Sequence, residues 1–183
     1  MLGKSWTVVS GLILVAIVSG WFSISRGGDA PPANQPSVRI GTYDPRAIAM
    51  AYVGSDMFRN IMAKHREAYD AAKAANDIDA QHAQQEWGRL SQTRIHLQGF
   101  GGAPVDDILD QVRDAIPQVA TDAGVQVITS KADYAGSDVE LIDVTDKLVA
   151  LFHPSAKTLK TIAGLRKMTP IPLEQLAGMP ANQ

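Results

Sequence analysis

Gly124-Val125-Gln126-Val127-Ile128-Thr129-Ser130 opens the stretch on which the fold turns. It runs on through Lys131-Ala132-Asp133-Tyr134-Ala135-Gly136-Ser137-Asp138, then Val139-Glu140-Leu141-Ile142-Asp143, and closes at Phe152. Val125, Val127 and Ile128 form a short β-branched run, which predicts a strand. Ala135 to Asp138 is a turn cluster. Val139, Leu141 and Ile142 predict a second strand. Asp143 is placed to cap a helix, because its carboxylate can accept from the free N–H groups of the first turn. Val144, Leu148, Leu151 and Phe152 give that helix, 144–152, an apolar face, and Pro154 stops it. Two short strands and a helix cannot hide both faces of a sheet, so a further strand is needed. Val38-Arg39-Ile40-Gly41-Thr42-Tyr43 supplies it, alternating apolar and polar as a half-buried strand does.

The residues between these strands read as helix. Asp44-Pro45 is a start signal, with aspartate as cap and proline where no N–H is required. Ala47, Ala51, Gly54, Phe58, Ile61, His65, Ala68, Ala72 and Ala75 then recur at three-four spacing, a seam of small residues with one histidine. Asn76, Asp77 and Asp79 break it. Ala83, Trp87, Leu90 and Leu97 lie along one side of a second segment. Two helices with a short break predict an antiparallel hairpin within 45–123. Gln98 to Pro104 reads as a hinge. It lacks the lysine and Ser/Thr of a phosphate loop, and Pro104 stands where a dinucleotide fingerprint needs glycine. Val105 to Ala123 is an amphipathic helix, with Pro117 expected to kink it and Gly124 to cap it in a left-handed conformation.

The ends differ from the centre. No charge occurs between Lys4 and Arg26. As a helix, residues 5–25 would be roughly 30 Å long, about one bilayer core. Trp6, Trp21 and Phe22 sit near its ends, as interfacial aromatics do. An uncleaved transmembrane anchor over 1–26 is the first expectation, and a cleaved signal peptide the second, since Val18-Ser19-Gly20 followed by Trp21 is a poor junction. The first places the chain in the inner membrane as a single-pass protein with its soluble part in the periplasm; the second frees it there. Residues 27–37, with Gly27, Gly28, Pro31, Pro32 and Pro36, read as a linker. Residues 154–183 form a basic tail with Lys157, Lys160, Arg166 and Lys167, expected as a solvated appendage whose end, with Pro170, Pro172 and Pro180, is poorly ordered.

Little points to chemistry. The chain has no cysteine, which excludes disulfides, thiolate nucleophiles and cysteine zinc sites. A net charge of −2 over 183 residues selects no partner and gives no nucleic-acid signature. His65, His82, His96 and His153 show no ligand spacing, and Asp133, Asp138, Asp143 and Asp146 lack the calcium-loop pattern. The reading is a protein that is not an enzyme, with no cofactor and no metal.

The order strand, helical hairpin, strand, strand, small helix resembles the OmpH/Skp periplasmic chaperone family. Two places carry the resemblance. Val38 to Ile48, V-R-I-G-T-Y-D-P-R-A-I, looks like that family's opening strand and helix start. Ala123 to Leu151 is similar to its closing strands, with a Tyr-containing turn and an Asp-hydrophobic-Thr helix start. The resemblance implies a homotrimer, with short strands forming a body from which hairpins project, and an ATP-independent holdase that binds unfolded outer-membrane or envelope proteins. The fold class expected is α+β, mostly helical: an N-terminal transmembrane helix, then a small β body with a long antiparallel hairpin, in a domain spanning 38–153. Met57, Phe58, Met62, Tyr69 and Trp87 are the candidate client-binding residues, since flexible methionines beside aromatics suit varied partners. Ile40, Val127, Ile128 and Leu141 are the candidate oligomer core. The alternative is a structural coiled-coil protein that tethers an envelope assembly and holds no client.

Overall fold

Asp44 and Pro45 start the helix around which the domain is built. The computed structural model describes residues 38–177. Asp44 Oδ1 accepts from Arg46 N at 2.9 Å, and Pro45 occupies the first turn. The helix that follows, α1 (Pro45–Val53), buries Arg46, Ala47, Ile48, Ala49 and Ala51. Its small side chains let other helices approach closely on several sides. Gly54 and Ser55 end α1, and Ser55 Oγ caps the next helix by accepting from Phe58 N at 3.2 Å. The seam expected to be continuous is therefore broken here.

Helix α2 (Asp56–Ala74) and helix α3 (Ile78–Gly101) form the hairpin. Asn76 turns it with φ of 52°, and Asp77 Oδ1 caps α3 by accepting from Ala80 N at 3.0 Å. The hairpin thus spans 56–101. Gln98 to Pro104 is a fixed bend: α3 runs to Gly101, and Gly102 closes it in the left-handed region at φ 75°. Gln98 is buried, donating to Pro104 O at 2.9 Å and Asp107 Oδ1 at 2.7 Å. The single amphipathic helix expected over 105–123 is divided. It becomes α4 (Asp106–Leu109), a 3-10 segment at Asp110–Ala115 and α5 (Ile116–Ala123). The break falls at Val112, whose φ of −125° leaves the helical range. Pro117 sits in the first turn of α5, where it costs no hydrogen bond.

The strands are β1 (Val38–Thr42), β2 (Val127–Thr129) and β3 (Val139–Asp143). They form a parallel sheet in the order β2-β1-β3, with Ile40 opposite both Val127 and Leu141, and Gly41 opposite both Ile128 and Ile142. Ile128 and Ile142 pack on the core with Ile48, Ile108, Val119, Val144 and Leu148. Register places Val38, Ile40, Val127, Val139 and Leu141 together on the other face. Arg39 joins strand to helix: its guanidinium pairs with Glu140 at 2.8 Å and donates to Gly124 O at 2.9 Å, at the left-handed cap of α5.

Past Asp143 the chain closes over α1. Helix α6 (Thr145–Ala150) buries Leu148 and Val149. Asp143 Oδ1 accepts from Thr145 N at 2.9 Å, the capping contact expected of it. Helix α7 (Ala156–Leu165), capped by Ser155, lies against α1, and a Cβ on Gly54 would come within 2.6 Å of Thr158 Oγ1. Helix α8 (Leu173–Ala177) lies on α3 across Gly101, which leaves room for Leu173 and Leu176. Ile162, Leu165 and Leu176 are buried. The solvated tail expected after residue 153 is corrected accordingly: through Ala177 it is part of the packed domain, fixed by apolar contacts and by Arg46 Nη1 donating to Met168 O at 2.8 Å. Arg166 adds ion pairs to Asp143 and Asp146.

No helix among the described residues is long and apolar enough to cross a membrane. Helices α2 and α3 have the length, but α2 alone carries Asp56, Arg59, Lys64, Arg66, Glu67, Asp70 and Lys73. This corrects the expected fold class and the single-pass inner-membrane placement: the described fold is α+β without a spanning helix. The segment on which that expectation rested, residues 1–26, and the linker after it lie outside the described residues.

Candidate functional site

The arm formed by α2 and α3 exposes Met62, Ile78, Leu90 and Phe100. Along α2 only Ala72 is buried, because a two-helix hairpin covers each helix on one side only. Halfway along, His65 of α2 stacks on Trp87 of α3, with ring centroids 3.3 Å apart and planes 9° from parallel. His65 Nδ1 and Gln84 Oε1 lie 2.7 Å apart, a hydrogen bond between the two helices. Stack and hydrogen bond together fix the crossing of the two helices.

Trp87 lines a cavity on each side. Toward the body, about 240 Å³ is bounded by Tyr52, Phe58, Ile61, Arg94 and Gln98 among others. Arg94 pairs with Asp107 at 3.4 Å at this cavity, and Phe58 meets Tyr52 edge-on with centroids 5.2 Å apart. Burial, and then the Asp107 charge, push the Tyr52 phenol above its ordinary value, against the opposing Arg94. These groups join arm to body and are largely used in doing so. Toward the tip, an open groove of about 280 Å³ is bounded by Met62, His65, Arg66, Tyr69, Trp87 and Gly88, with Gln84 and Gln85 beside them.

Of the expected client-binding residues, Met62, Tyr69 and Trp87 meet in this one groove. Phe58 belongs to the inner cavity. Met57 is half-buried and lines neither. Met62 is 41% exposed, so it is available to a partner. Five groove residues were not among the candidates: His65, Arg66, Gln84, Gln85 and Gly88. His65 was assigned to the seam, Arg66 had no motif, and Gly88 gave the only local sign: a glycine inside an uninterrupted helical pattern.

The proposed oligomer core divides between the two sheet faces. Ile40, Val127 and Leu141 share the open face, where Val127 is 50% and Leu141 46% exposed. Ile128 faces the other way and packs within the domain. A one-residue step along a strand reverses the side chain, and the run Val127-Ile128 is apolar in both directions, so pattern alone could not separate them.

A third cavity, about 570 Å³, lies between α6 and α7 and is bounded by Val149, Ala150, Pro154, Leu159 and Ile162 with Asp146 and Arg166. Those two charges pair with each other at 3.1 Å. Among the described residues no group of three or more His, Asp or Glu could hold a metal ion, and no buried side-chain polar atom lacks a partner.

No family model, curated protein or solved structure matches the chain.

Proposed function

We propose that this domain is an ATP-independent holdase, a non-enzymatic chaperone that keeps unfolded polypeptides from aggregating. It acts as a homo-oligomer, on the OmpH/Skp-like plan of three copies, with the α2–α3 arms as its working surface. The observation that carries the reading is the open apolar groove on the arm, where Met62, Tyr69, Trp87 and Gly88 lie together on an element that the body leaves free along most of its length. A holdase needs such a surface, apolar enough to engage varied clients and adaptable through methionine. Self-association is supported by the open face of the parallel sheet, since parallel sheets occur almost only with both faces covered.

The test is suppression of aggregation of a chemically unfolded protein by the full chain without nucleotide. The expected result is suppression at a few-fold molar excess, reduced by Met62→Gln together with Tyr69→Ser while helix content stays unchanged. Absence of suppression by the unmodified chain would remove the holdase reading and leave the structural, tethering one.

A further inference from the structure

Gly88 sits inside α3, where glycine is less favourable than alanine because it fixes more backbone freedom and packs nothing. A Cβ built on it would meet no atom within 4 Å. Close packing therefore does not demand glycine here, unlike Gly54 and Gly101, where a neighbouring side chain occupies the space. Gly88 lines the groove together with Met62, Tyr69 and Trp87.

Arg66 lines the same groove and is exposed. Among the described residues every other arginine is in an ion pair: Arg39, Arg46, Arg59, Arg89, Arg94, Arg113 and Arg166. Arg66 has no such pair among them. No acidic side chain lines the groove, and His65 is hydrogen-bonded to Gln84. The groove thus offers an apolar floor with a vacant side-chain position and one guanidinium at the rim. A guanidinium is a planar fork suited to a carboxylate.

We propose that this groove binds an extended polypeptide segment through one aromatic or large aliphatic side chain seated over Gly88, with the carboxylate of an adjacent Asp or Glu paired to Arg66. The inference rests on the holdase reading and names its site and the chemistry of its client. Charge complementarity selects the occupant: an apolar residue flanked by lysine meets repulsion from Arg66, and an acidic residue without an apolar neighbour leaves the floor empty.

The experiment measures binding of short fluorescent peptides to the full chain by anisotropy. The peptides share a Gly-Ser frame and carry Asp-Phe, Lys-Phe or Asp-Ser at the centre. Asp-Phe should bind about tenfold or more tightly than Asp-Ser, from burial of the ring, and about threefold more tightly than Lys-Phe, from an exposed ion pair. Gly88→Leu fills the floor and should weaken Asp-Phe by about tenfold, with Gly88→Ala intermediate. Arg66→Glu should reverse the order of Asp-Phe and Lys-Phe. Equal binding of all three peptides, no binding of any, or an order unchanged by Arg66→Glu would overturn the proposal. If Gly88→Leu does not fold, the exposed Arg66→Glu reversal and Gly88→Ala decide it. Aggregation suppression separates this site from the wider reading. Suppression without the peptide preference leaves the holdase and removes the groove; the preference and its reversal without suppression leave the groove and remove the holdase.

Discussion

Asp143 shows how far single residues are decided by their neighbours. It ends β3, accepts from Thr145 N and pairs with Arg166 from α7. Partial burial alone would raise its carboxyl; the hydrogen bonds from Thr145 and the Arg166 charge outweigh burial and hold it below the usual carboxylate range. A carboxyl lowered in the folded state contributes stability that is present above its unfolded value and lost as pH falls through the folded one. Unfolding midpoints in urea should therefore decline as pH drops below about 4, and Asp143→Asn should flatten that decline while lowering the neutral-pH midpoint. An unchanged acid limb would mean that the Arg166 pair does not hold in solution. The sequence disclosed the Asp143 capping contact because it is local. It did not disclose Arg166, which comes from a helix read as detached. The same limit explains Arg46. Its bidentate contact with Asp44 is two residues away and legible in kind, but its bond to Met168 O lies 122 positions along the chain.

At the scale of elements, what was legible followed from period and punctuation. The strands fall where β-branched runs and turn residues put them, and the hairpin takes only the part of the three-four seam after Ser55, because the seam's first turns belong to α1. What was not legible followed from small residues. Ala47, Ala49 and Ala51 carry no strong signal of burial, yet they make α1 the helix that others pack on, and Gly54 and Gly101 are contact surfaces for α7 and α8. With the receiving surface hidden in alanines and glycines, the short apolar row Leu159, Ile162 and Leu165 looked like a helix without a partner. Its burial makes a measurable claim. Ile162 is 4% exposed in the core cluster, so Ile162→Ala should cost about 2–4 kcal/mol in denaturant unfolding. A cost under about 0.5 kcal/mol, the level of ordinary surface substitutions, would return α7 to the status of an appendage.

For the whole molecule, the open sheet face is where the proposed self-association is tested. Replacing Val127 or Leu141 by Asp places a charge on the open face and should shift the full chain toward smaller species in sedimentation, with helix content retained. Ile128→Asp should instead lose the fold, because it buries an unpaired charge among Ile48, Val144 and Leu148. Loss of the fold in all three, or no change in size for the first two, would count against the open face as an association surface. The groove was half legible, through Met62, Tyr69 and Trp87; its floor and its charge depend on a glycine and an arginine whose meaning is spatial. One further property follows from the strand order. The first described strand is the central one, and both its neighbours come from beyond residue 126. The contacts within the arm are close in sequence, whereas Val38 to Thr42 has neither edge partnered until Val127 to Thr129 has been made and only one until Asp143. Topology of this kind slows folding, since long loops must close before any strand contact repays them. A nascent chain interrupted after Gly101 and before β3 would carry the whole α2–α3 hairpin above an incomplete sheet.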